Sequence, residues 1–143
     1  MSCVLRITGV GFQVEAYLAA TGLTAIGTWK TGAPRVIRGP ATSNGCNIDV
    51  SNADFNDLKG QIRDAIKVLR DQTENLKRLP DFGLLPSDEP ELDFGIETRM
   101  HDVGAQFDYF PNELLKLCGD LGLCICLSQY QPSSEEDQSE AEL

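Results

Sequence analysis

The feature that most constrains this chain is a run of apolar residues at spacings of three and four: Phe55, Leu58, Ile62, Ala65, Ile66, Leu69, Leu76 and Leu79. Residues so spaced share one face of an α-helix, because about 3.6 residues complete a turn. The chain must therefore bury one stripe of a long helix against an apolar layer. The opposite face carries Lys59, Arg63, Lys67 and Arg70 beside Asp64, Asp71 and Glu74, with Glu74 four residues before Arg78 as an added ion pair. Ser51 followed three residues later by Asp54 reads as a capping-box variant that opens the helix, and Pro80 ends it.

Alternating patterns supply the second layer. Val4 to Thr8 alternates around Leu5 and Ile7 and stops at Gly9-Val10-Gly11, a strand closed by a turn. Val14, Tyr17, Leu18 and Thr21 then fall at helical spacing, with Gly22 placed as a C-terminal cap. Thr24 to Thr31, rich in β-formers and holding the single tryptophan, Trp29, predicts a second strand. Gly32 to Gly45 contains two prolines and three glycines and reads as a long loop. Cys46, Ile48 and Val50 alternate with Asn47 and Asp49, and Leu92, Phe94 and Ile96 with Asp93, Gly95 and Glu97, giving two strands with one buried face each. Asp81 to Pro90 between them is an acidic loop.

Pro111 sits at the first position of a further helix with Leu114, Leu115 and Cys118 on one side and Gly122 as its stop. Leu123 to Leu127 is apolar on both faces, which predicts a final strand inside the sheet rather than at its edge. The order βαββαβαβ defines an α+β fold: two layers, a largely antiparallel sheet of about five strands, and helices mainly on one face, related to the split βαβ arrangement.

A chain of 143 residues with 41% hydrophobic composition supports one core. We assign residues 1–130 to a single domain. From Gln131 onward the residues are almost all Pro, Ser, Gln, Glu and Asp, too polar to offset their ordering entropy, so 131–143 is expected to be a disordered acidic tail. Residues 133–143 carry five acidic and no basic residues, so five of the ten net negative charges belong to the tail. The body retains 17 acidic against 12 basic residues.

This charge disfavours nucleic acid and anionic membranes as partners, because both are held through Lys and Arg. No apolar run approaches the roughly 20 residues of a membrane helix. The N-terminus shows no basic segment followed by an apolar stretch, and the five cysteines are an odd number, three of them crowded near the C-terminus. A cytoplasmic protein with reduced thiols is the expectation.

Chemistry-bearing motifs are few. Cys124 and Cys126 share one face of a strand and Cys118 is near in sequence, but a structural zinc site needs four ligands and the single histidine, His101, lies in a distant loop. Small apolar fillers of a core strand describe these thiols better. Gly9-Val10-Gly11 lacks the third glycine of a dinucleotide fingerprint, since position 14 is Val14, and a tight turn accounts for it. With His101 as the only histidine, no triad is assembled, and we expect no enzyme, no cofactor and no metal.

Two surface features remain. Between Ala16 and Ile48 there is no acidic residue, while Lys30, Arg35 and Arg38 flank Trp29, a pattern suited to a small anionic ligand or a homodimer contact. Asp88, Glu89 and Glu91, with Asp102 and Asp108, form acidic stretches able to meet a basic surface.

Leu5-Arg6-Ile7-Thr8-Gly9, Thr21-Gly22-Leu23, Lys30-Thr31-Gly32, Leu92-Asp93-Phe94-Gly95-Ile96 and the stretch Phe110 to Tyr130 resemble a family of short bacterial proteins catalogued as domain of unknown function 4279, many of them candidate immunity proteins beside toxin genes. The resemblance implies an immunity protein that occludes the active site of a cognate toxin encoded by an adjacent gene. It carries over no catalytic residue. Its contacts would come from Asp88, Glu89, Glu91, Asp102, Asp108, Trp29, Arg35 and Arg38.

Overall fold

A computed structural model gives the fold and describes residues 1–132. The expected disordered tail lies almost wholly outside the described residues. Nine main elements follow in order: β1 (Cys3–Gly9), α1 (Val14–Thr21), β2 (Gly27–Trp29), β3 (Asn44–Ser51), α2 (Leu58–Asp71), α3 (Thr73–Lys77), β4 (Glu91–Glu97), α4 (Asn112–Leu121) and β5 (Cys124–Tyr130). Short 3₁₀ turns at Leu79–Phe82 and Pro86–Asp88 join α3 to β4.

The five strands form one sheet in the order β2-β3-β1-β4-β5. β1 is antiparallel to both β3 and β4, and β2 is antiparallel to β3. β1 and β2 thus run parallel with β3 between them, so β1-α1-β2 is a split βαβ unit. α4 returns the chain so that β5 joins β4 in parallel. The fold is a two-layer α+β arrangement around a mixed, mostly antiparallel sheet.

Alternation decides which face is covered. Cys3, Leu5, Ile7, Cys46, Ile48, Val50, Leu92 and Phe94 point one way and are buried together with Tyr17, Ile62, Ala65, Leu69, Leu114 and Cys118 of the helices. Each large apolar side chain removed from water here contributes about 1.5–3 kcal/mol. At one end Tyr17 is fully buried between Phe12 and Phe82, with ring centroids 5.7 and 5.4 Å away, and its hydroxyl donates to the Asn75 carbonyl at 2.9 Å. Gly83, at φ +85°, lets this end close: a Cβ there would stand 2.1 Å from the Gly11 carbonyl oxygen.

The single long helix expected from Phe55 to Leu79 is broken and starts later. Ser51 belongs to β3, where its hydroxyl donates to Asp64 Oδ2 at 2.6 Å and accepts from the Ala53 N–H at 3.1 Å. Asp54 caps a turn instead, accepting from the Asn56 N–H. The N-cap of α2 is Asp57, whose side chain accepts from the Gly60 N–H at 2.9 Å. Phe55 precedes the helix altogether and packs over Gly95 with Tyr130.

The break falls at Gln72, where the backbone leaves helical geometry (φ −105°, ψ 13°). The adjoining Thr73 hydroxyl donates to the Leu69 and Arg70 carbonyls, the local competition that weakens helices at such residues. Pro80 lies within the following 3₁₀ turn rather than ending the helix. Glu74 pairs with Lys77 at 3.6 Å, not with Arg78, which donates to the Ala20 carbonyl and lies over the Phe82 ring.

Three smaller corrections concern the ends of elements. The second strand is only Gly27–Trp29, because Thr31 bonds the Asn44 side chain and turns away. Pro111 is the N-cap of α4 and not its first residue. β5 is an edge strand, contrary to the interior position expected from its apolar character. Ile125 and Leu127 pack toward the helices, whereas Cys124 and Cys126 emerge half-buried on the other face.

Candidate functional site

The helices leave one face of the sheet uncovered, and side chains of β1, β4 and β5 meet there. Arg6 is the centre of that face. Its guanidinium donates to Glu91 Oε1 at 3.0 Å and reaches Asp93 Oδ2 at 3.4 Å. The β1–β4 register places these residues together, since Arg6 is the cross-strand partner of Glu91 and lies diagonally from Asp93. Asp93 also accepts from the Ser128 hydroxyl of β5 at 2.6 Å, and Cys126 Sγ lies 3.8 Å from the same hydroxyl. The carboxylates are thereby held in a fixed arrangement by partners on both flanking strands.

The β2–β3 loop forms a wall beside this network. Its base is closed by hydrogen bonds from the Gly32 N–H to the Ala41 carbonyl and from the Ala41 N–H to the Ala33 carbonyl. Its tip is folded by Arg35, which donates to the Gly39 and Pro40 carbonyls at 3.0 and 3.1 Å. Val36 and Ile37 at the tip are fully exposed. Trp29, Arg35 and Arg38 join Arg6, Glu91, Asp93, Cys126, Ser128 and Tyr130 around an open cleft of about 720 Å³.

The electrostatics are mixed. Burial and the nearby carboxylates push the Cys124 and Cys126 thiols above the ordinary cysteine range, so both are held protonated and weakly nucleophilic. Glu91, Asp93 and Cys126 present three potential metal-ligand atoms within 4.8 Å of one another. Both carboxylates also bond the Arg6 guanidinium, which offsets their charge.

The residues singled out from the sequence separate into groups. Trp29, Arg35, Arg38 and Glu91 meet in the cleft. Lys30 lies apart, 3.6 Å from Glu15. Asp88 is half-buried and accepts from the Leu85 N–H of its own 3₁₀ turn at 2.7 Å, while Glu89 is exposed and lies, with Glu91, near the Cys124 thiol that both carboxylates push up. Asp102 pairs with His101 at 2.9 Å and Asp108 accepts from Gln106, both in the loop before α4. The thiols of Cys124 and Cys126, expected to fill a core strand, face the cleft side instead, and Cys3, Cys46 and Cys118 are the buried ones.

Arg6, Asp93, Ser128 and Tyr130 were not legible as site residues. Their alternation with core positions marks them as pointing away from the helices, but strand order and register alone bring them together. Among the described residues, no helix is long and apolar enough to cross a membrane. No family model, no curated protein and no solved structure matches the chain.

Proposed function

We propose that this chain is a non-enzymatic, cytoplasmic immunity protein that neutralises a cognate protein toxin by gripping it with the uncovered face of the sheet. The observation that carries the binding role is the composition of the cleft: Trp29, Tyr130, Arg6, Arg35 and Arg38 around Glu91 and Asp93. Tryptophan, tyrosine and arginine dominate the energetics of protein interfaces, because they combine large apolar area with directed polar groups. Arg6, Trp29 and Tyr130 stand on strands and Arg35 and Arg38 on the loop beside them, so the strand-borne side chains have little backbone ordering entropy left to lose on binding. The toxin as partner rests on the family resemblance.

A small anion is the weaker occupant of this cleft. Arg6 is neutralised by two carboxylates and the Arg35 guanidinium bonds carbonyls of its own loop, which leaves Arg38 as the principal cation. The cleft is also wide open, whereas small-ligand sites enclose most of their ligand.

The test is capture with the purified chain and the product of the adjacent gene, followed by titration of variants. Trp29→Ala and Arg38→Glu should each weaken the complex by about 30-fold or more, the loss typical of an interface hot spot. Glu91→Lys should weaken it most at low salt. A complex of unchanged affinity in all three variants would move the interface off this face, and capture of no protein by the wild-type chain would end the immunity reading.

A further inference from the structure

Among the described residues β5 pairs only with β4, and its backbone says which groups point outward. The Cys124 N–H donates to the Pro90 carbonyl and the Tyr130 carbonyl accepts from the Thr98 N–H, both toward the β4 side. Backbone groups alternate direction along a strand, so Cys124, Cys126, Ser128 and Tyr130 serve β4. Ile125, Leu127 and Gln129 direct their N–H and C=O groups outward, and among the described residues none of these groups is hydrogen-bonded.

Edge strands are normally protected by brevity, charge, proline or a bulge. β2, at the other edge, has three residues and is followed at once by Lys30. β5 has seven residues, Cys-Ile-Cys-Leu-Ser-Gln-Tyr, with no charge and no proline, in a chain of net charge −10. Its register with β4 runs without a bulge from Cys124 to Tyr130.

We propose that β5 pairs antiparallel with β5 of a second copy about a two-fold axis at Leu127, joining two five-stranded sheets into one. A second copy fits because the strand is self-complementary about its centre. With Leu127 opposite Leu127, Ile125 faces Gln129 of the second copy, and every outward-facing residue exchanges both of its backbone hydrogen bonds. On the cleft face Cys126 meets Ser128 of the second copy and Cys124 meets Tyr130. No like charges oppose one another, which lets two acidic chains approach along this edge. The two clefts then lie on one continuous surface.

Sedimentation equilibrium of the reduced wild-type chain tests this, with Gln129→Pro as the diagnostic variant. Gln129 is exposed and its N–H faces outward, so proline removes an intermolecular donor while sparing the β4 ladder. The wild type should reach twice the monomer mass with rising concentration, and Gln129→Pro should remain monomeric with an unchanged circular dichroism spectrum. Should that variant fail to fold, Ser128→Cys gives an independent readout. Mild oxidation should then link it to Cys126 of a second copy and yield a covalent dimer. A wild-type monomer at all concentrations would overturn the pairing. So would protection of the Ile125, Leu127 and Gln129 amides in that monomer, which would show the edge to be covered within one chain. A dimer indifferent to Gln129→Pro, with no cross-link from Ser128→Cys, would assign self-association to another surface.

Discussion

Gly45 lies directly beneath the indole of Trp29: a Cβ at Gly45 would stand 2.4 Å from Trp29 Cζ2 and 2.8 Å from the Ile7 carbonyl oxygen. The two residues are cross-strand partners between β2 and β3, so the missing side chain is what lets the ring lie on the sheet beside the cleft. Gly45→Ala should cost about 1–3 kcal/mol, as an overpacked site against rigid backbone does. Trp29 is the only tryptophan, so its displacement should appear as a shift of the fluorescence emission to longer wavelength. An unchanged spectrum and melting temperature would show that the indole is seated elsewhere.

Gln61 should be a stability determinant although it is polar. It is fully buried on α2, and its Nε2 donates to the Gly95 carbonyl at 2.8 Å and to the Asp54 carbonyl at 3.3 Å. Leucine at this position would fill a similar volume but take the donor from the Gly95 carbonyl, while the Asp54 carbonyl keeps the Asp57 N–H at 2.8 Å. Gln61→Leu is expected to lose about 1–3 kcal/mol in urea denaturation, the cost of a buried acceptor left unpaired. A neutral result would mean that removing the buried, unpaired Gln61 Oε1 offsets the lost bond.

The start of α2 distinguishes two aspartates. Asp57 caps the helix through the Gly60 N–H, and its carboxylate lies so close over Gly60 that a Cβ there would meet Oδ2 at 2.3 Å. Asp57→Ala should lower stability by about 1 kcal/mol. Asp54→Ala, which loses only a turn contact to the Asn56 N–H, should cost less. Equal losses in thermal melts would place the helix start at Asp54 after all.

Alkaline pH should unfold the domain by way of its buried thiols. Burial pushes Cys46 and Cys118 from 9.0 to about 11, with the neighbouring Cys124 adding to the rise at Cys118, and it pushes Cys3 up as well. Thiols of the unfolded chain release their protons first, so the unfolded state binds fewer protons than the native state within this window. Stability is therefore complete below pH 9 and falls as pH rises toward 11. The loss is roughly 3 kcal/mol for each of the two thiols across the window. Melting temperature followed under reducing conditions should show this slope, and Cys46→Ala should make it shallower. A flat profile would mean that these thiols ionise in the native state.

Element identity was largely legible because it depends on local periodicity. The alternation of Leu5 and Ile7, of Cys46, Ile48 and Val50, and of Leu92, Phe94 and Ile96 marks three strands and their buried face, and Gly22 and Gly122 take the left-handed cap geometry their positions suggest. Element boundaries were less legible. Phe55 keeps the helical spacing of Leu58 and Ile62, but its ring packs over Gly95, a contact that no spacing rule encodes.

Four of the nine residues lining the cleft stand out in the sequence. The acid-free stretch with Trp29, Arg35 and Arg38 stands out in composition, as does Glu91. Arg6 does not, because a lone arginine on a strand is ordinary until the register with β4 sets two carboxylates beside it.

The amino-acid sequence by itself determined the α+β class, the helix-facing core and the acidic balance, because each follows from side-chain polarity and near-neighbour spacing. The tertiary structure alone decided that β5 lies at the edge, that Glu91 faces the cleft beside Asp93, and that Arg6 ties β1 to β4. Those outcomes depend on strand order and register, which are set by long-range pairing and the packing of the whole core and leave no short-range trace along the chain.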